Sequence, residues 1–101
     1  MMQTDVLASA VRTTDGVMND QAGNAIGRCR VKGVYIVPSS LAGSVILKDG
    51  STAGSTNKIT INTIAGSTST AWILMPGEGL LFQSGIFADL TDAASVMVLY
   101  G

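Results

Sequence analysis

The sequence predicts an all-β protein: a small antiparallel β-sandwich or jelly-roll-like barrel of about seven strands with an N-terminal arm. Three observations predict it. Apolar and polar residues alternate with period two in short runs, those runs are rich in β-branched residues, and turn chemistry recurs about every 8–12 residues.

Residues 1–27 carry the weakest pattern. Asp5 to Val11 fits one helical turn capped by Thr4 or Asp5. Val6, Ala8 and Ala10 also alternate with Leu7, Ser9 and Val11, so 1–27 is read as an arm, an edge strand or a hairpin. The sandwich domain is expected over 28–101. Its first strand, Arg28 to Pro38, sets Cys29 and Val31 against Arg28, Arg30 and Lys32, then turns apolar on both faces through Val34-Tyr35-Ile36-Val37. Gly33 lies between the two patterns and marks a bulge where the facing changes. Ser44 to Lys48 follows, closed by Asp49-Gly50, a pair suited to tight turns with positive φ. Lys58 to Asn62 alternates cleanly, and Thr70 to Met75 carries the single tryptophan, Trp72. Pro76-Gly77-Glu78-Gly79 is a turn. Leu80 to Phe82, Ile86 to Leu90 and Ser95 to Tyr100 complete the strands, with a turn expected at Leu90-Thr91 between Asp89 and Asp92. Ala-Gly-Ser recurs at Ala42, Ala53 and Ala65 without repeating apolar residues, which indicates similar turns and not a solenoid. The loops at 50–57 and 65–70 are almost purely small and polar.

The chain has 101 residues, 47% hydrophobic and 13% charged, with a formal net charge of −1. That length suits one domain. The charge is about half that of a typical soluble domain, near 25%, so the surface is either built from Ser, Thr and Asn or covered in an assembly. A slightly negative chain excludes a nucleic-acid grip, which needs clustered cations. Arg28, Arg30 and Lys32 form the one basic cluster and share a strand face; they are a solvated face or a contact for an acidic partner surface. Cys29 is the lone cysteine, so no intrachain disulfide and no paired-cysteine metal site is expected. The N-terminus lacks a basic stretch followed by an apolar run. No segment nears the ~20 apolar residues of a membrane span. A protein made and kept in a cytoplasm, without membrane contact, is expected.

Histidine is absent, which removes the commonest general base and zinc ligand. Without one, Cys29 has no obvious activator. Asp89, Asp92, Glu78 and Asp49 could supply a carboxylate pair, but such a pair needs a deep cleft between its members. Pro76 to Gly79 lacks the spacing of a phosphate loop. Trp72, Tyr35, Phe82, Phe87 and Tyr100 lie in alternating strands and are read as core aromatics. No enzyme activity, cofactor or metal is expected.

The runs Met75-Pro76-Gly77-Glu78-Gly79-Leu80-Leu81-Phe82, Ser84-Gly85-Ile86-Phe87-Ala88-Asp89-Leu90 and Ala94 to Gly101, with Val34-Tyr35-Ile36 and Ile46 to Gly50, stand in one order. Over roughly 28–101 the chain resembles small β-rich virion proteins of short-tailed phages, especially marine ones. The resemblance implies a structural component of the particle without catalysis, made in the host cytoplasm and kept in the virion. A capsid-surface decoration or cement protein that binds the major capsid protein as a homo-oligomer is the expected form. A tail or connector component is the nearest alternative. From a different class comes a small glycan- or peptide-binding sandwich, using the polar loops and an outward Trp72.

The C-terminal strand is the most informative single element. Val96, Val98 and Tyr100 alternate with Ser95, Met97 and Leu99, so the strand is apolar on nearly both faces. A face open to water would normally read polar. Met97 and Leu99 therefore need cover from the second sheet, the arm or a neighbouring subunit, and they join Arg28, Arg30 and Lys32 as candidate partner contacts. Each buried side chain of this kind contributes about 1.5–3 kcal/mol to a total of ~5–15 kcal/mol. Deleting Val98 to Gly101 is expected to abolish folding or particle incorporation, and deleting Met1 to Thr4 to leave the fold intact. If the arm is the cover, deletion through Val11 exposes Met97 and Leu99. Soluble yield and oligomer size of the three truncations check this.

Overall fold

The computed structural model describes residues 6–63, 71–75, 77 and 79–101, with Ala71 and Trp72 described by their backbone alone. Among the described residues nine strands run in chain order: β1 Leu7–Ala8, β2 Gly16–Val17, β3 Cys29–Pro38, β4 Ser44–Asp49, β5 Thr56–Asn62, β6 Ala71–Leu74, β7 Leu80–Phe82, β8 Ile86–Thr91 and β9 Ala93–Tyr100. They form two antiparallel sheets, a sandwich as the sequence predicts. Sheet A has the order β1-β9-β3-β6, with β7 also on β3; sheet B has the order β2-β8-β4-β5.

The two sheets are one set of ribbons folded at a common line. β9 pairs with β3 from Tyr100 opposite Val31 to Ala93 opposite Pro38. The same two chain segments, now as β8 and β4, pair on from Thr91 opposite Ser44 to Ile86 opposite Asp49. One residue, Asp92, separates β8 from β9, and it holds a left-handed φ of 52°, a conformation that aspartate tolerates better than most residues. On the other strand the corner takes residues 39–43. The Ser39 hydroxyl donates to the Asp92 carbonyl. Gly43 lies against the Thr91 and Asp92 backbone so closely that a Cβ there would overlap the Thr91 carbonyl oxygen and sit 2.7 Å from that of Asp92. The turn is therefore at Asp92 and not at Leu90-Thr91, which continue β8 and pair with Val45 and Ser44.

The flanking segments follow the same crease. β5 pairs with β4 and β6 with β3. β7 continues along the edge of β3 that β6 began and in the same direction, and the Met75 N–H donates to the Lys32 carbonyl just after β6. Pro76 and Glu78 lie outside the described residues. On the other side β1 pairs with β9 and β2 with β8. Arg12 bridges to Val96, and its guanidinium binds the carbonyls of Thr14, Asp15 and Val17 to hold that corner. The N-terminal segment is strand here and not a helical turn. It delivers Met18 and Ile26 to the core, at 0% and 6% exposed.

The core is the inner face of the folded ribbon. Val31, Val34, Ile36, Phe82, Val96 and Val98 of sheet A meet Val45, Leu47, Ile86 and Ala88 of sheet B, all fully buried. The register shifts between Val31 and Gly33, opposite Tyr100 and Leu99, so the bulge at Gly33 changes the facing as predicted. Not every strand aromatic is a core residue. Phe82 and Tyr100 are buried, whereas Tyr35 and Phe87 stand half-buried on the outer faces, because each alternates with inward residues. Asp49-Gly50 does not close a two-residue turn; a loop over 50–55 does, with Asp49 still paired to Thr56. The first Ala-Gly-Ser lies at the crease and the second in that loop, and the third lies outside the described residues.

Gly43→Ala is expected to cost at least the ~1–3 kcal/mol of an overpacked site, because the obstructing atoms are backbone. For a domain this size that is a Tm loss of roughly 5–20 °C. Gly54→Ala, where a Cβ meets nothing within 4 Å, is the control and leaves the melting curve nearly unchanged.

Candidate interaction surface

The two outer faces of the sandwich differ. On sheet B the outward residues include Ile46, Lys48, Phe87, Asp89, Thr60 and Asn62, which follow from the ladders and the alternation of buried positions. Lys48 Nζ lies 3.3 Å from Asp89 Oδ2 and donates to the Ala53 carbonyl at 2.6 Å. These two charged groups are satisfied locally. Asp89 thus pairs with a lysine and shapes no turn.

On sheet A the outward set is apolar around Leu74, Met97 and Leu99. Val96, Val98 and Tyr100 point into the core, so Met97 and Leu99 point out, and both are half-buried. Tyr35 pairs with Met97 across the ladder, and Gly33 has Leu99 on one side and Leu74 on the other. Leu74 is 65% exposed. A Cβ on Gly33 would lie 3.3 Å from Leu74 Cδ2 and 3.6 Å from Leu99 Cδ1, so the missing side chain lets the two leucines close over β3. Val37 is half-buried on the same face, and Val6 and Val11 of the arm are 55% and 60% exposed at its border.

Four of the five sequence-predicted contact residues come together here. Arg30 and Lys32 lie on the outer side of β3 at the end of the face remote from the crease, Lys32 next to the Gly33–Leu99 pair and Arg30 four ladder steps from Met97. Arg28 is exposed just before β3, lining a neighbouring groove. Among the described residues none of the three cations forms an ion pair. Of the three possible covers for Met97 and Leu99, the second sheet is occupied by Val96, Val98 and Tyr100. The described part of the arm pairs with β9 edge-on, Leu7 beside Tyr100 and Ala8 beside Leu99, so that part extends the face without lying over it. Leu74 was hidden from the sequence pattern, since Ile73-Leu74-Met75 is apolar at every position.

Reactive chemistry does not converge anywhere among the described residues. Asp49 accepts the backbone N–H groups of Gln83 and Ser84, and those hydrogen bonds hold its carboxyl below the usual range. Asp92 stands at the crease, away from the Asp89–Lys48 pair, and Glu78 lies outside the described residues. No three Cys, Asp or Glu side chains among those described are placed to hold a metal ion, and no described helix is long and apolar enough to cross a membrane. An open groove of about 320 Å³ runs between the arm and the C-terminus, lined by Leu7, Asp20, Arg28, Cys29 and Tyr100. Asp20 is engaged there by the N–H groups of Ala22 and Asn24. Burial pushes the Tyr100 phenol up, helped by Asp20. The Trp72 side chain, which a glycan-binding reading would use, lies outside the described residues. Compared with family models, with curated proteins and with solved structures, the chain matches none.

Cys29 is buried at 7% exposure. Desolvation, with Asp49 nearby, pushes its thiol up to about 11, so at neutral pH it stays protonated and a poor nucleophile. A thiol reagent at pH 8 is expected to leave the folded protein unmodified and to titrate one thiol after denaturant is added. Rapid labelling of the native protein would contradict that placement.

Proposed function

We propose that this chain is a non-enzymatic structural protein of a tailed-phage virion, a capsid-surface decoration or cement protein that binds the major capsid protein. The observation that carries the assembly role is the outer face of sheet A. Leu74, Met97 and Leu99 form a contiguous apolar surface beside Tyr35, with no second layer over it among the described residues, the type of patch that monomeric proteins keep small. The sequence resemblance over 28–101 supplies the virion. The Lys48–Asp89 pair on the outer face of sheet B and the small polar loop at 50–55 leave a neutral exterior suited to a part present in many copies.

Cryo-electron microscopy of intact particles tests the reading. Density for this sandwich, repeated over the capsid surface, is the expected result. Density confined to the tail, in sixfold or twelvefold copies, would overturn the placement in favour of a tail or connector component. Absence of the chain from purified particles would overturn the virion role altogether.

A further inference from the structure

We propose that the cover of the sheet A face is a second copy of this chain, bound face to face about a two-fold axis that runs across the strands between the two sheets. The inference rests on reading that face as an assembly surface, not on its place in a virion.

Association through sheet edges is disfavoured by the fold itself. β1 and β2 are two residues long. The β6–β7 edge is interrupted, since five residues separate Leu74 from Leu80 where Lys32 alone separates their partners Gly33 and Val31. β5 is the one long edge strand among those described, and its ladder breaks between Leu47 and Lys48, leaving Lys58 as the extra residue. A bulge carrying a lysine is a common way to block strand addition. The face is a better candidate. Its strands, two, eight, ten and four plus three residues long for β1, β9, β3 and β6 with β7 and about 4.8 Å apart, give a flat area of roughly 430 Å². That is below the ~800 Å² per partner of a standard interface and in the range of a weak, concentration-dependent one.

Charge selects the axis. Take the Tyr35–Met97 pair as the centre. Stepping away from the crease, the pairs are Val34–Val98, Gly33–Leu99, Val31–Tyr100 and then Arg30 with Gly101. Stepping towards the crease, they are Ile36–Val96, Val37–Ser95, Pro38–Ala93 and then Ser39 with Asp92. Arg30 and Asp92 thus stand four steps from the centre at opposite ends. The crosswise axis reverses strand direction, so each copy's Arg30 and Lys32 approach the other's Asp92, twice over. An axis along the strands would instead bring Arg30 near Arg30. Met97, Leu99, Leu74 and Tyr35 fill the middle in either case, and complementary ends set the orientation.

The purified full chain tests this by sedimentation equilibrium over a range of concentrations and salt. The wild type is expected to dimerise, more weakly as salt rises. Met97→Gln with Leu99→Gln should weaken the dimer roughly tenfold or more while circular dichroism stays unchanged. Leu74→Gln, at a site 65% exposed, provides the same readout with no demand on the fold. Arg30→Glu should weaken the dimer, and adding Asp92→Asn to it should restore part of the loss. A chain that stays monomeric, or a dimer indifferent to Leu74, Met97 and Leu99, overturns the inference. A dimer strengthened by Arg30→Glu and indifferent to Asp92→Asn overturns the crosswise axis. A monomer that still decorates particles would refute this inference and leave the proposed function standing, and a dimer absent from particles would do the reverse.

Discussion

The close approach of Gly43 to the Thr91–Asp92 backbone is the contact on which this fold depends. Without a crease, the paired segments would make one long four-ribbon sheet with an apolar side and no second layer to bury it. Folding the ribbons along one line turns that side upon itself, so that Val31, Ile36, Val96 and Val98 find Val45, Leu47, Ile86 and Ala88. Sheet-on-sheet packing needs about 10 Å between layers. The strands can change layer that abruptly only where a Cβ is missing on one strand and a left-handed residue sits on the other. Asp92 and Gly43 supply those two conditions at adjacent points of neighbouring strands. Thr63 reinforces the corner, its N–H donating to the Gly43 carbonyl while its hydroxyl accepts the Gly43 N–H.

A second constraint decides what lies outside. Strand facing has a period of two, so a single extra residue exchanges inside for outside along the rest of the strand. In β3 that residue comes at the Lys32–Gly33 bulge. In an unbroken alternation Cys29 and Val31 would be followed inward by Gly33 and Tyr35. The bulge instead sends Val34 and Ile36 into the core and places Tyr35 outside, opposite Met97. The apolar outer face is thus a product of register as much as of composition.

Much of the strand pattern was legible in the sequence, because alternation and turn chemistry are local signals. The bulge at Gly33 was legible for the same reason, since it separates two clean patterns. The crease was not. Thr91-Asp92-Ala93 has no proline or glycine, and Gly43 reads as an ordinary loop residue until the opposing strand is known. The placing of Tyr35 and Phe87 depends on which of two apolar neighbours wins the interior, which pattern alone leaves open. For the surface, Met97 and Leu99 could be singled out because β9 has nearly no polar face. Leu74 could not, because only the ladder to Gly33 brings it beside Leu99. The role of Asp89 likewise needed the diagonal to Lys48 across β4 and β8.

The apolar outer face also bears on how stability is shared between chain and assembly. A domain of this length buries roughly 60–70% of its unfolded surface, and the inner layer here is already complete. Leucine and methionine on the outer face of sheet A therefore add little to the isolated fold, since one side of each still meets water. Covering them adds stabilisation that grows with the concentration of the covering partner. The arm stands to benefit most. It is held to β9 by a short ladder in which Ser9 both donates its N–H to the Val98 carbonyl and accepts the Val98 N–H at its hydroxyl. Its Val6 and Val11 side chains contribute little contact while they remain exposed. A partner laid over Met97 and Leu99 would reach the border formed by those two valines, fixing the edge strand as it covers the face. Completion of the fold at its N-terminal edge and association through sheet A then become one coupled process.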